Sequence, residues 1–445
     1  FLSSGGGGWV SPVFTSCLGR VARMRISLAG IAGDELVTLA ADEDCTLREI
    51  DLRVAKLPFV RTHQRRYLYG NTVLSPARSL ADSGVSDGAQ LTLVHVTAWR
   101  VMTATRFFVV KIWNAEAGNC ICVLEGHQSH VRSATFSPDG ASVLTASDDH
   151  TVRVWNSDSG ACIKIWKTDP YIVASAVFSP DSKSVLTASD EAIARLWSMA
   201  SGDCTRTFTG HEYHLSSAIF SPEGARVLTA SYDMTVRLWC VHSGECLHIL
   251  RRHRDFVRSA VFSPNGMLAV TASDDCTAKV WHVGTGSCLR TLFGHSGGVR
   301  SAVISPDGAQ ILTASDDHTA RIWSARSGTC LHSLAGHKGS VNSGAFSPDS
   351  TLVVTASDDF TARIWRVQSG TCLHTLEGHT RCVASAIFSP EGNLALTASC
   401  DQACGIWSCD SGDLVSTLEE DAGDDDFYLL SFCAAEGRWR GEGGL

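Results

Sequence analysis

A tryptophan returns every 42 residues along most of this 445-residue chain: Trp113, Trp155, Trp197, Trp239, Trp281, Trp323, Trp365 and Trp407 are spaced without a slip. Repetition of this kind constrains the fold more than any other feature, because each copy must bury the same face against its neighbours. One copy reads GHSGGVRSAVISPDGAQILTASDDHTARIWSARSGTCLHSL over 294–334. Its apolar residues follow a period of two, and helical periodicity is absent. VRSAVI (299–304) reads as a first strand, and SPDG (305–308) as a turn in which Pro presets φ and Gly accepts a positive φ. ILTAS (311–315) is a second strand, DDH (316–318) a turn, TARIW (319–323) a third strand, SARSG (324–328) a turn, and TCLHSL (329–334) a fourth strand.

Four short strands in a repeat of this length predict a propeller blade. The repeats resemble the WD-repeat family over residues 99–437. That resemblance implies a hydrogen-bonded tetrad in each blade: the His of Gly-His, a second-strand Ser or Thr, the turn Asp and the third-strand Trp. The matching sets here are His127, Ser147, Asp149 and Trp155; His211, Ser231, Asp233 and Trp239; His253, Ser273, Asp275 and Trp281; His295, Ser315, Asp317 and Trp323; His337, Ser357, Asp359 and Trp365; and His379, Ser399, Asp401 and Trp407. A buried carboxylate needs donors, and His, Ser and backbone amides supply them. A Ser–His–Asp grouping also suggests hydrolase chemistry, but six equivalent copies cannot all be active sites and no G-x-S-x-G elbow occurs. The repeat around Trp197 departs from the set, with Asp169 in the His place and Glu191 in the Asp place. That blade is expected to be the least rigid, and its WKTDPYI loop (166–172) a functional variant.

Seven repeats are complete from Gly126 to about Leu418. Upstream, VMTAT (101–105), VVKIW (109–113) and CICVLEG (120–126) match second, third and fourth strands without a first, and Phe107 replaces the turn Asp. Downstream, FYLLSFCAAEG (427–437) resembles the missing first strand and its turn. Joining the two fragments makes an eighth blade and removes the exposed sheet edge. Eight blades are therefore favoured, with seven the alternative. The near-identity of TASDDHTVRVW, TASDDHTARIW and TASDDFTARIW points to internal duplication.

Residues 23–96 carry a different pattern. RMRISLAG (23–30) and ELVTLA (35–40) read as a hairpin. DCTLREIDLRVAKL (44–57) reads as a helix, capped by Thr46 and with Leu47, Ile50, Val54 and Leu57 at helical spacing. RRYLYGNTVL (65–74) and SLADSGVSDGAQLTLVHV (79–96) complete the unit, which resembles ubiquitin-like domains, most closely in LADSGVSDGAQLTLV. The fold class is thus mainly β: a WD40 β-propeller preceded by a small α+β ubiquitin-like β-grasp domain. A Gly-rich flexible segment (1–22) and a flexible tail (438–445) flank them. Conjugation in that family needs a free Gly-Gly terminus, whereas Val96, Thr97 and Ala98 run on into the repeats. Its apolar recognition patch maps to Ile31, Leu68 and Val94. These side chains either form a binding site or pack on the propeller.

Composition is globular, at 44% hydrophobic and 19% charged residues. The net charge of -9 offers no general attraction to phosphates, so no specific nucleic acid partner is expected. No apolar run approaches the roughly 18–20 residues of a membrane span. Phe1 rather than Met opens the chain, as expected of a fragment or an incomplete gene model, and FLSSGGGGWVSPVFTSC lacks the layout of a secretory signal. Of 17 cysteines, Cys120, Cys162, Cys204, Cys246, Cys288, Cys330 and Cys372 recur every 42 residues. They read as one position repeated, too far apart to bridge and expected as small buried side chains in a reducing cytosol. Cys400, Cys404 and Cys409 lie close in sequence, but no matching His follows for zinc. No Gly-rich phosphate loop or metal-spaced Cys/His set occurs, so no cofactor and no catalysis are expected.

In WD-repeat proteins partners commonly bind the face bearing the loops before the first strand and after the second. The resemblance places one exposed column just before each turn Asp: Asp148, Asp190, Tyr232, Asp274, Asp316, Asp358 and Cys400. A second column reads Arg132, Ala174, Ser216, Arg258, Arg300, Asn342 and Ala384, and a third includes His130, His214 and Phe256. Tyr232, Phe256, Arg258, Arg300 and Arg132 are the candidate partner-binding residues, aromatic and Arg side chains being enriched among hot spots. The alternative is that Asp and Arg satisfy one another between blades. The expected function is a protein- or peptide-binding scaffold, a monomeric ring in the cytoplasm or nucleus. Two alternatives stand beside it. One is a ribosome-assembly factor of the Notchless type, which shares the domain order. The other is a ubiquitin-ligase substrate receptor, whose W-D-x-R motif is absent from WNSD (155–158), WSAR (323–326) and WRVQ (365–368).

Overall fold

A computed structural model of the chain describes residues 23–29, 35–42, 64–69, 72–73, 80, 85–86, 89–96, 100–105, 108–115, 118–168, 172–401, 403–419 and 427–433. The expected segments 1–22 and 438–445, the helix over 44–57 with Thr46, and Ile31, Phe107 and Asp169 lie outside them. The chain divides into two compact units, Phe1–Thr97 and Ala98–Leu445.

The first unit is a mixed sheet of β1 (Arg23–Ala29), β2 (Glu35–Asp42), β3 (Gln64–Tyr69), β4 (Thr72–Val73) and β5 (Gln90–Val96), in the order β2-β1-β5-β3-β4. β1 pairs antiparallel with β2 and parallel with β5. Ile26, Leu80, Val85, Ala89 and Leu91 are buried.

The second unit is an eight-bladed propeller of four-stranded sheets. Blade 1 comprises β9 (Val131–Phe136), β10 (Ser142–Ser147), β11 (Thr151–Asn156) and β12 (Cys162–Lys167). Blades 2 to 7 follow over 173–208, 215–251, 257–292, 299–335, 341–376 and 383–419. The strands of blade 5, Val299–Ile304, Gln310–Ser315, Thr319–Ser324 and Cys330–Ala335, match the sequence reading to within one residue at each end. Each second strand is buried along its length, as Val143 to Ser147 are, because it has a strand on either side and a neighbouring blade on each face.

Blade 8 is composite. β37 (Phe427–Cys433) lies antiparallel beside β6 (Arg100–Thr105), followed by β7 (Val110–Asn114) and β8 (Cys120–Leu124). Val101 and Trp113 pack on Leu396, Ile406 and Leu418 of blade 7. Met102, Ile112 and Leu124 pack on Val131, Phe136 and Trp155 of blade 1. The ring is therefore closed, with the first strand of the closing blade drawn from the far end of the chain.

The cysteine column departs from expectation. Cys120, Cys162, Cys204, Cys246, Cys330 and Cys372 are exposed and Cys288 is half-buried. They start the fourth strand of every blade but blade 7, where that strand begins at Leu414, and a fourth strand has a neighbour on one side only. There the inward residue is the fifth, such as Trp166 or Leu250, while Ile163 and Ile165 are about half exposed. Among the described residues no helix is long and apolar enough to cross a membrane.

Candidate functional site

Within a blade, register decides which side chains meet. Thr145 on β10 pairs with Arg153 on β11, so Trp155 is its diagonal neighbour on the same face. The indole Nε1 of Trp155 donates to Thr145 Oγ1 at 2.8 Å, and Thr145 Oγ1 lies 2.6 Å from His127 Nε2. His127 Nδ1 is 2.8 Å from Asp149 Oδ2. An ionised Asp can only accept, so Nδ1 carries the proton, Nε2 accepts from the threonine hydroxyl, and that hydroxyl accepts from the indole. The remaining carboxylate positions accept from the Gln128 amide at 2.9 Å, the Thr151 amide at 2.9 Å and the Thr151 hydroxyl at 2.6 Å.

This corrects the sequence assignment of the hydroxyl. The relay uses Thr145, Thr229, Thr271, Thr313, Thr355 and Thr397, bonded to His127, His211, His253, His295, His337 and His379 and to their tryptophans. Ser147, Ser231, Ser273, Ser315, Ser357 and Ser399 stand two residues further along and do a different job. Ser147 Oγ donates to the Ser129 carbonyl at 2.9 Å and accepts the Asp149 amide at 3.1 Å, tying the loop before the first strand to the turn after the second. The other five serines bond the equivalent carbonyls.

Burial depresses the imidazoles of His127, His253, His295 and His337 below their usual value, against the opposing pull of their aspartates, so they are neutral at pH 7. Burial alone would raise the Asp149, Asp317 and Asp359 carboxyls. Bonds from Thr hydroxyls, amides and His outweigh it and hold them at about 2. Asp233, Asp275 and Asp401 are depressed in the same way. Every side-chain polar atom of the Trp155–Thr145–His127–Asp149 relay is bonded to another, and His127 and Asp149 are almost wholly covered. The set is a brace, with no hydroxyl or imidazole nitrogen left to act on a substrate. In blade 2, Trp197 still donates to Thr187 at 3.0 Å, but Glu191 turns to Arg195 at 3.0 Å.

The chain belongs to the WD40 repeat family. The family model for the WD domain, G-beta repeat, matches residues 118–156, 160–198, 202–240, 244–282, 286–324, 328–366 and 370–408, more than half of the chain. Among curated proteins no sequence matches it. Each matched WD40 segment starts just before the fourth strand of one blade and runs through three strands of the next, so each one spans an inter-blade joint. The final joint, through β37, lies outside the seven matches.

On the face of the WD40 propeller formed by the loops before the first strands, Arg and Asp pair mainly within a blade. Arg132 Nε and Nη2 clamp Asp148 at 2.7 and 3.0 Å. Arg258 binds Asp274 with an Nη2 contact of 2.6 Å. Arg300 binds Asp316 and crosses to Asn342 of the next blade, whose amide donates to Asp358 at 2.8 Å. Tyr232, Phe256 and Arg258 come together. The Tyr232 and Phe256 rings lie 4.9 Å apart at 30°, and the Arg258 guanidinium sits 5.6 Å from the Tyr232 centroid. Phe256 is 39% exposed and Tyr213, on the same loop system, 61%. Of the small-unit candidates, Ile31 lies outside the described residues, and Leu68 and Val94 occupy diagonal register positions on β3 and β5.

The opposite face carries an open groove of about 510 Å³ lined by Phe178, Pro180, Phe220, Pro222 and Phe262. It arises from the repeated Ser-Pro turns and holds no charged group. Among the described residues no three His, Cys, Asp or Glu side chains are grouped to hold a metal; Cys404 and Cys409 are buried, and burial pushes the Cys409 thiol up to about 12.

Proposed function

We propose that this WD40 propeller is a non-catalytic scaffold that docks a protein or peptide on the face bearing Tyr232, Phe256, Arg258 and Arg300. The observation that carries it is the Tyr232–Phe256–Arg258 stack, a partly exposed aromatic pair under a guanidinium held in place by Asp274. Aromatic and Arg groups presented rigidly lose little conformational freedom on binding and bury large area. The Arg–Asp clamps are solvent-exposed and contribute only about 0–1 kcal/mol each, so the ring does not depend on them for its fold. Arg132 lies on another blade of the same face and extends the surface. The scaffold works as a monomeric ring in the cytoplasm or the nucleus.

The small unit reads as a ubiquitin-like domain, a reading supported by its order β2-β1-β5-β3-β4 with β1 and β5 parallel. An eight-bladed ring behind such a unit also fits a ribosome-assembly factor of the Notchless type. The deciding experiment is proximity labelling with the full chain and with a variant carrying alanine at Tyr232, Phe256, Arg258 and Arg300. Loss of a defined partner set at unchanged melting temperature is expected. An unchanged partner set, or lower melting with binding retained, overturns the reading. Recovery of large-subunit ribosome precursors would select the Notchless alternative.

A further inference from the structure

In every complete blade, the amide of the residue before the turn acid donates to the carbonyl of the residue that precedes the first strand. Asp148 bonds His130 at 2.8 Å, Asp274 bonds Phe256 at 3.0 Å, and Cys400 bonds Cys382 at 2.9 Å. The two positions therefore face each other across one backbone link in all seven blades, and blade 7 alone has cysteine at both. It also lacks the neighbouring clamp: where blades 1, 4 and 5 pair Arg132, Arg258 and Arg300 with an Asp, blade 7 has Ala384 and Cys400. The sulfurs of Cys382 and Cys400 are 2.8 Å apart, and both residues are half-buried.

We propose that Cys382 and Cys400 are a redox modification site: a dithiol that closes to a disulfide on the partner-facing side of blade 7 when a small-molecule disulfide such as glutathione disulfide is present. A disulfide bond is about 2.05 Å long, so closure needs a side-chain adjustment of under about 1 Å. One thiolate attacks glutathione disulfide, forming a mixed disulfide and releasing one glutathione thiolate. The second cysteine thiolate attacks the protein sulfur of that mixed disulfide, forming the Cys382–Cys400 bond and releasing the second glutathione. The two protein thiols lose two protons and two electrons, which leave as two glutathione thiols. The strand register at Val383 and Ser399 and the backbone link hold the second sulfur beside the first, so the ring-closing step outruns further exchange with solvent glutathione. The bond ties the loop before the first strand of blade 7 to the turn at Asp401. That is the same junction Ser399 spans by hydrogen bonds, on the blade that receives the closing blade.

The test uses the full chain equilibrated in a series of glutathione–glutathione disulfide buffers, acid-quenched, alkylated and digested without reduction. A protease cutting after glutamate separates the pair at Glu391. A linked peptide containing Cys382 and Cys400 is expected at oxidant ratios where Cys162 and Cys330 are still alkylated. The link should vanish in both Cys382→Ser and Cys400→Ser, and survive in Cys404→Ser and Cys409→Ser, whose thiols share the second peptide. Circular dichroism melts confirm that each variant is folded; the parent chain, Cys404→Ser and Cys409→Ser, which keep the link, should melt higher after oxidation, and Cys382→Ser and Cys400→Ser should not. Alkylation of both thiols, or separate glutathione adducts on each without a link at every ratio, overturns the proposal. A link that persists in Cys400→Ser does so too.

Discussion

At the scale of single residues, the hydroxyl that matters is the one at the centre of the relay. Thr313 accepts from Trp323 at 2.9 Å and meets His295 Nε2 at 2.7 Å, and it is wholly buried. Thr313→Val keeps the shape and leaves the indole and the imidazole without partners, a penalty of about 1–3 kcal/mol for each buried group. Ser315 bonds the Gly297 carbonyl and the Asp317 amide, in a loop and turn that water reaches. Ser315→Ala is expected to cost about 1 kcal/mol. Denaturant titrations of the two variants should rank them in that order, and the reverse order would place the relay on the serine. Both hydroxyls stand in every complete copy as Thr-Ala-Ser, so the repeat reveals that a hydroxyl is needed without revealing which. The diagonal relation of Thr313 to Trp323 appears only once the register is known.

At the scale of strands, position in the sheet sets what a repeated residue does. The 42-residue cysteine column is one environment seven times over, as its spacing implies, yet that environment is the outer edge rather than the core. Sequence alternation alone cannot distinguish a strand with two neighbours from one with a single neighbour. The partial repeats were legible because strands resembling a second, third and fourth demand a first, and β37 supplies it. Deleting residues 420–445 removes that strand, bares the edge of β6 and uncovers the joints to blades 7 and 1. The truncated chain is expected to melt markedly lower and to associate through the open edge, as measured by thermal denaturation and light scattering. A truncated chain that stays monomeric with an unchanged melt would mean that seven blades close without it.

At the scale of the molecule, the braces make stability depend on pH. For the four histidines with depressed imidazoles, the unfolded chain binds protons that the folded one refuses, so stability rises with pH through that range and falls on acidification below about pH 6.5. The depressed aspartates stabilise the fold above the ordinary carboxylate range, and that contribution is lost from about pH 4 downward, for Asp149, Asp317 and Asp359 as pH approaches about 2. Calorimetry across pH should therefore find the melting temperature dropping in two stages, the first between about pH 7 and 5 before carboxylates titrate. A melting temperature flat from pH 7 to 5 would contradict the neutral imidazoles. By itself the sequence determined the four strands of each repeat, the blade and the need for closure, while leaving eight blades against seven open, because a period with one polar set per copy leaves stacking about an axis as the way to bury every copy. Tertiary structure alone decided which hydroxyl braces the tryptophan, which cysteines meet and which arginine stacks on an aromatic ring. Those depend on register and on loop approach across a sheet, distances that a linear spacing does not encode.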